Sequence, residues 1–130
     1  MIKIGTSGFS FPDWAGNIYP PNIKKADMLE YYEKQLGFSI TEINSTYYTI
    51  PSQKSFEGMM RKTSKSFEFT VKAHKSLTHE IRDKETGKIV DNKDSFERFM
   101  YAIEPLKREG RLTAILAQFP YSFHATKDNY

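Results

Sequence analysis

The alternation of strand-like and helix-like segments constrains the fold of this chain more than any other feature. Four short segments carry the apolar alternation or apolar run that is typical of β-strands, namely Ile2–Thr6, Ser39–Asn44, Phe67–Ala73 and Thr113–Gln118. Between them lie three stretches whose apolar residues recur at helical spacing, namely Asp27–Leu36, Ser52–Lys62 and Asp94–Ile103. Strands that alternate with helices predict right-handed crossovers and a parallel sheet, so we predict an α/β fold.

Local signals predict where several of these elements end. Asp27 and Glu30 have the spacing of a capping box at the start of the first helix, and Gly37 predicts its C-terminal end. Pro105 has no backbone N–H to donate, so we expect the third helix to end near Ile103. The last strand is a nearly continuous apolar run, which is typical of a strand that is buried on both faces.

Two connections are unusual for simple turns. The segment Phe9–Pro21 is irregular but rich in aromatic residues, so either it packs against one end of the fold or Trp14 and its neighbours form a stacking wall for a ligand. The connection His74–Lys93 is long and charged, and is either a functional loop or a solvated excursion. Within it, Ile81–Val90 is expected to form a small hairpin, and Thr126 is expected to cap a fourth helix.

Composition limits the classes of protein that remain. No cysteine occurs among the 130 residues, which excludes disulfides and cysteine-ligated metals and favours a reducing, cytoplasmic setting. No apolar stretch reaches the length of about 18 residues that a membrane span needs, so we expect no membrane partner. The net charge of +3 permits anionic partners but is weak for a dedicated nucleic-acid module.

Six motifs along the chain resemble the N-terminal half of the DUF72 (YecE-like) family. They are IGTSGFSFPDW at 4–14, YPP at 19–21, LEYY at 29–32, EINSTYYTIPS at 42–52, FTVKAHKSLTH at 69–79 and AQFPYSFH at 117–124. The family is similar to TIM (β/α)8 barrels and its chains are about twice this long. The resemblance therefore implies a single truncated domain over residues 1–130, which is half of a barrel with about four parallel strands. Because a half barrel leaves strand edges uncovered, we also expect it to self-associate.

In a barrel of this kind, substrates bind where the strands end, at the carboxyl edge of the sheet. The residues that follow the strands and match the family pattern give three catalytic candidates, Glu42, Lys72 and His79. The candidates for contact with the substrate are Thr6, Ser7, Trp14, Asn44, Tyr47, Tyr48 and Gln118.

Each catalytic candidate has more than one interpretation. Glu42 is a general base or a metal ligand, and Lys72 is an anion holder or a nucleophilic amine. Alternatively, Glu42 and Lys72 form a structural ion pair inside the barrel. His79 is an acid, a base or a phosphate contact. The histidines show no HxH or HxxxH spacing, so no metal is predicted, and the sequence identifies no cofactor.

The family has no established reaction, so two kinds of function stay open. The first is an enzyme, a hydrolase or isomerase that acts on a small polar or phosphorylated, and so anionic, substrate. The second is a nucleic-acid binding or processing protein, in which basic residues of the third loop hold phosphates while aromatic side chains stack on bases. Those basic residues are Lys75, Arg82, Lys84 and Lys88. A third possibility is that the half barrel alone is inactive.

Overall fold

The computed structural model describes residues 2–129 and contains a parallel β-sheet whose strands alternate with α-helices. The strands are β1 (Ile40–Ile43), β2 (Glu68–Lys72) and β3 (Leu112–Leu116), and they lie in that order in the sheet. The helices are α1 (Met28–Lys34), α2 (Gln53–Arg61) and α3 (Lys93–Arg108). The predicted α/β fold with parallel strands is therefore confirmed. None of the helices in the described part of the chain is long and apolar enough to cross a membrane.

The core lies between one face of the sheet and the three helices. Along β1 and β2 every second residue is buried, and Ile43, Phe69 and Val71 belong to one cluster with apolar side chains of all three helices. A fully buried side chain of this size contributes about 2 kcal/mol to stability. The same alternation turns Glu42 and Lys72 to the opposite face of the sheet, away from the helices.

The segment Ile2–Thr6 does not form the predicted first strand. It makes a single parallel bridge, between Thr6 and Thr41, so the described chain has three strands rather than four. The hydroxyl group of Tyr32 lies at this bridge. This group accepts a hydrogen bond from the Thr6 backbone N–H (2.8 Å) and donates one to the Ile40 carbonyl oxygen (3.1 Å). The phenol therefore ties Thr6 to the start of β1. Residues 2–5 do not pair, because the side chains of Ile2 and Ile4 have no core to pack against and are 91% and 73% exposed.

The predicted end of the third helix is also wrong. Helix α3 continues past Ile103 to Arg108, with Pro105 buried inside it. A proline at this position leaves the carbonyl oxygen of Tyr101 without its helical N–H donor. The side-chain amide of Gln53 in α2 donates to that oxygen over 2.7 Å and takes the place of the missing donor.

Helix α1 is shorter than expected, and its capping box does not form. The helix ends at Lys34 rather than Leu36, and Asp27 occupies the N-cap position without a side-chain hydrogen bond. Gly37 behaves as predicted at the C-terminal end. Its backbone N–H donates to the Glu33 carbonyl oxygen (3.1 Å), and its φ of 76° is the left-handed conformation that favours glycine.

Strand β3 is not buried on both faces as its apolar run predicts. Residues Thr113 to Leu116 are exposed, and only Leu112 packs against the core cluster. The reason is its position in the sheet, since β3 pairs with β2 on one side and the helices cover mainly β1 and β2. The sheet therefore carries an exposed apolar edge.

The two remaining sequence predictions concern the later loops. The hairpin within Ile81–Val90 is confirmed, because Arg82 and Ile89 form an antiparallel bridge. After Thr126 the chain makes only a short 3-10 turn, Lys127–Asn129, in place of the expected start of a helix. Any continuation of that helix at Tyr130 lies outside the described residues.

Candidate functional site

A cavity of about 490 Å3 opens where the strands end, and we call it the polar cavity. Its wall contains Leu116 and every predicted site residue except Thr6 and Trp14. The catalytic candidates reach it from different segments, since Glu42 lies on β1, Lys72 ends β2 and His79 belongs to the loop after β2. The structure therefore brings together catalytic candidates that are far apart in the sequence, since Glu42 and His79 are 37 residues apart.

Glu42 is held in a short chain of hydrogen bonds. Asn44 lies two residues further along the chain and on the same face. The Nδ2 atom of Asn44 donates to Ser7 Oγ over 2.6 Å, and Ser7 Oγ donates to Glu42 Oε1 over 2.6 Å. Ser7 is placed there because the Glu42 backbone N–H donates to the carbonyl oxygen of Thr6 over 3.0 Å. The chain orients the Glu42 carboxylate, and no described residue donates to its other oxygen, Oε2.

Lys72 and His79 both contact the ring of Tyr47. The Lys72 Nζ atom lies 5.1 Å from the centre of that ring, which is the geometry of a cation–π contact. The ring of His79 packs edge-on against Tyr47, with 5.1 Å between the ring centres. His79 Nδ1 shares a hydrogen bond of 2.9 Å with the buried hydroxyl group of Thr78, so its Nε2 is the nitrogen left for a ligand. Tyr48 packs edge-on against Tyr47 and is largely exposed.

The buried hydroxyl group of Thr46 anchors this cluster to the sheet. It lies 2.8 Å from the carbonyl oxygen of Ile43 and 2.6 Å from that of Lys72, which are the last residues of β1 and β2. The 3-10 turn that carries Tyr47 is thereby tied to both strand ends. The ends of β1 and β2 thus fix the position of the Tyr47 ring beside Lys72.

The structural ion pair between Glu42 and Lys72, which the sequence left open as an alternative, does not form. Glu42 bonds to Ser7, and Lys72 makes no salt bridge with any residue that the structure describes. A carboxylate and an ammonium group that are not bonded to each other therefore face one polar cavity. Such a pair can take up a proton and hold a negative charge in the same step.

Two predicted site residues lie outside the polar cavity. Thr6 lines a neighbouring cavity that also contains Ser7 and Glu42. Trp14 stacks in a row of aromatic rings between Phe11 (5.0 Å) and Tyr19 (5.6 Å). The aromatic loop thus packs on itself and onto α1, as the first of the two sequence interpretations expects.

Part of the basic charge in the third loop is already paired. Lys75 forms a salt bridge of 2.8 Å with Glu80, and this hydrogen bond raises the pKa of Lys75 and lowers the pKa of Glu80. Arg82 donates to the carbonyl oxygen of Gly87 (3.1 Å) and to Oδ1 of Asn129 (3.0 Å). In residues 2–129, no group of three or more His, Cys, Asp or Glu side chains is arranged to hold a metal ion.

A second cavity of about 450 Å3 was not predicted from the sequence, and we call it the lysine cavity. It lies between the segment around Phe9, α1 and α2, and three lysines line it, Lys25, Lys54 and Lys62. It shares Ser7, Glu42 and Asn44 with the polar cavity. The only sequence signal for it was the spacing of Lys54, Gly58 and Lys62, which places them on one helix face.

The sequence and the structure were compared with known proteins. A family model described as "Protein of unknown function DUF72" matches residues 3–130. The UPF0759 protein YunF of Bacillus subtilis (strain 168) is 31% identical over 131 residues, which cover 99% of this chain and 43% of that protein.

Two solved structures of DUF72 family proteins are similar over 99% of this chain. The protein from Thermotoga maritima is 50% identical with a TM-score of 0.83, and 48% of its chain is covered. The protein from Enterococcus faecalis V583 is 23% identical with a TM-score of 0.76, and 43% of its chain is covered. The present chain thus spans less than half the length of the relatives that it matches.

Proposed function

Since this chain belongs to the DUF72 family of proteins of unknown function, we propose that it forms part of a TIM-like (β/α)8 barrel enzyme that acts on a small polar or phosphorylated substrate. The reaction class is acid–base chemistry, carried out as an isomerase or a hydrolase. Support for a barrel comes from the parallel sheet, the alternating helices and the cavity at the carboxyl ends of the strands. The absence of cysteine from the 130 residues supports a cytoplasmic setting.

The observation that carries the proposal is that Glu42 and Lys72 line one cavity without bonding to each other. Glu42, oriented by Ser7, removes a proton from the substrate. In an isomerase the proton comes from a carbon next to a carbonyl group, and in a hydrolase it comes from the attacking water. Lys72 stabilises the negative charge that develops on the substrate oxygen, and His79 donates or returns a proton.

The surrounding side chains would bind and orient the substrate. Asn44 and Gln118 offer amide groups, while Tyr47 and Tyr48 offer ring faces and hydroxyl groups. The contact of Lys72 with the ring of Tyr47 keeps the ammonium group near the cavity without neutralising it. A small anionic substrate would therefore find both a positive charge and several hydrogen-bonding groups.

Solvent exchange tests this proposal directly. Because the proposal places this chain within a complete barrel, the full-length protein is incubated in D2O with a panel of sugar phosphates and hydroxy acids, and 1H and 31P NMR follow deuterium incorporation, isomerisation and release of phosphate. We expect turnover of at least one compound, loss of that turnover in Glu42→Gln and Lys72→Met, and full turnover in Lys107→Met, an exposed lysine of α3. Unchanged turnover in Glu42→Gln, or no reaction with any compound, would count against the proposal.

Nucleic-acid binding has less support as an alternative. Of the four basic residues in the third loop, Lys75 and Arg82 are already bonded within the loop or to Asn129. Lys84 and Lys88 remain as exposed charges on the hairpin. A dedicated binding surface usually carries a denser basic stripe.

A further inference from the structure

The lysine cavity has a shape and a charge that the proposed reaction does not explain. One wall is the face of α2 that contains Lys54 and Gly58, and Lys62 continues this face at the C-cap position, with a spacing of four residues throughout. At a rise of about 1.5 Å per residue, Lys54 and Lys62 lie about 12 Å apart along the helix. This wall therefore carries a lysine near each of its ends.

The lining carries an excess of positive charge. Lys25, Lys54 and Lys62 line it together with a single carboxylate, that of Glu42. None of the three lysines forms a salt bridge with a residue in the described part of the chain. The carboxylate already accepts a hydrogen bond from Ser7. Unpaired ammonium groups around a cavity raise the local concentration of anions.

Lys62 reaches the backbone beside Lys25. Lys62 Nζ donates to the carbonyl oxygen of Ala26 over 2.7 Å, and Ala26 is the neighbour of Lys25. An ammonium group has three donors, so Lys62 keeps two for a ligand. Glu30 forms its salt bridge with Lys34, and none joins it to Lys62.

Between the lysines the lining is mainly apolar. Phe9, Phe11, Leu29, Ile43 and Met59 contribute to it. An apolar wall with a few polar groups at its ends is the usual composition of a small-molecule site. An inorganic anion has no apolar surface and would leave these apolar side chains without a ligand contact, so an organic anion fits the cavity better.

Gly58 keeps the middle of the helical wall free of a side chain. It lies inside α2, where glycine is less favourable than alanine. No close packing requires glycine there, because an added Cβ would meet only the end of the Arg61 side chain at 3.7 Å, and its φ is not positive. The absence of a side chain therefore widens the cavity without serving the fold.

We propose that the lysine cavity binds an organic anion. Its flat apolar body lies against Gly58 and Met59, and its phosphate or carboxylate group is held by Lys25 and Lys62. The wall formed by Ser7, Glu42 and Asn44 separates this ligand from the polar cavity. The inference does not depend on the reaction proposed above and holds whether or not Glu42 is catalytic.

The test is a titration of the 15N-labelled chain with three probes that share one ring, namely phenyl phosphate, benzoate and benzyl alcohol. We expect the two anions to saturate shifts of the Gly58, Met59 and Ser10 amide signals, and benzyl alcohol to bind about tenfold more weakly because it lacks a charge. The tighter of the two anions identifies phosphate or carboxylate as the preferred group.

Variants locate the site. The Lys25 side chain forms no hydrogen bond with any described residue, so Lys25→Met should leave the fold intact. This substitution should weaken anion binding about fivefold. Gly58→Leu should fill the cavity and abolish binding, while Lys107→Met on α3 should bind as the unmodified chain does. Lys62→Met should also weaken binding, with the fold checked by its NMR spectrum because it loses the bond to Ala26.

Three results would overturn the inference. The first is no saturation up to about 10 mM, since a small fragment with a Kd of about 1 mM would be largely bound there. The second is equal affinity for the anions and benzyl alcohol. The third is a set of shifts centred on Lys72 and His79, which would place the anion in the polar cavity and leave the proposed reaction untouched.

Discussion

The side-chain amide of Gln53 donates a hydrogen bond of 2.7 Å to the backbone carbonyl oxygen of Tyr101, and this contact allows α3 to continue through Pro105. The oxygen is the one that a residue with an N–H at position 105 would bond. A residue of α2 therefore completes the hydrogen bonding of α3, and the two helices are linked at the point where α3 would otherwise break.

The first prediction concerns this link. Gln53→Leu should lower the free energy of unfolding by about 1 kcal/mol, because the Tyr101 oxygen loses its donor. In a Pro105→Ala background the backbone N–H returns, so the same substitution should cost clearly less. Urea denaturation of the four proteins measures the difference. Equal costs in both backgrounds would show that the Gln53 bond does not compensate for the proline.

Arg111 should be a major contributor to stability. It is only 5% exposed, and its guanidinium group donates to the carbonyl oxygens of Phe67 (2.8 Å) and Met60 (3.0 Å) and lies over the ring of Phe69 (5.2 Å). Arg111→Met should cost about 3 kcal/mol, because it leaves buried acceptors without donors. Arg98→Met, at an exposed position of α3, is the matched control and should change stability little. A similar effect of both substitutions in urea denaturation would contradict this role.

Thr46 should position the residues around Lys72. Thr46→Val keeps the shape of the side chain but removes the hydroxyl group that bonds the carbonyl oxygens of Ile43 and Lys72. We expect a loss of about 2 kcal/mol and shifted NMR signals for Tyr47 and Lys72. Thr49→Val, an exposed threonine after the same turn, should have neither effect. Unchanged Tyr47 signals in Thr46→Val would rule out the positioning role.

The stability of the protein should fall at alkaline pH because of Tyr19. Its side chain is 2% exposed and lies 2.6 Å from the carbonyl oxygen of Phe9. Burial, with a smaller contribution from Tyr32, raises the pKa of Tyr19 to about 12. In the unfolded chain a tyrosine loses its proton near pH 10, so the unfolded state binds fewer protons between about pH 10 and about pH 12. Raising the pH through this range therefore favours unfolding.

Removing the phenol should remove this pH dependence. Denaturant unfolding at about pH 9 and about pH 11 should show a smaller loss of stability for Tyr19→Phe than for the unmodified chain. Tyr48→Phe, which changes an exposed ring, should behave like the unmodified chain. The same loss in all three proteins would mean that another group causes the alkaline effect.

The exposed edge of the sheet should cause self-association of this chain. Ile115, Leu116 and Phe119 are 39%, 38% and 40% exposed and lie on or just after the outer strand. Two copies can cover these surfaces by pairing their open sheets into a barrel-like dimer. Light scattering should give a mass above that of the monomer, and Ile115→Lys should reduce it. Ile89→Lys, which changes an exposed residue of the hairpin, is the control. A monomer mass without aggregation would contradict the prediction.

Local patterns account for the parts of the fold and site that could be predicted. The alternation of apolar residues along β1 and β2 is a property of neighbouring residues, and in the structure it places Thr41 and Ile43 on the buried face and Glu42 on the other. Placement at the strand ends also brought Asn44, Lys72 and Gln118 to one cavity. The catalytic roles of these residues stay predictions.

The failures have a common physical cause in contacts between distant segments. The segment before Thr6 alternates like a strand, but Ile2 and Ile4 meet no core and stay exposed, and no local pattern indicates this. The apolar run of β3 indicates burial, but its outer position in the sheet leaves it exposed. In the same way, the lysine cavity depends on where α1 and α2 meet.

The sequence by itself determined the order of the three helices and of three of the four predicted strands, their periodic faces and the family to which the chain belongs, because these depend on neighbouring residues and on motifs. The tertiary structure decided how the polar side chains are paired. In the structure Ser7 donates a hydrogen bond to Glu42, and Lys72 lies over the ring of Tyr47. Gln53 donates to the carbonyl oxygen that Pro105 leaves without a donor in α3. Each of these contacts joins residues far apart in the chain, and only the packed arrangement of the elements brings them within bonding distance.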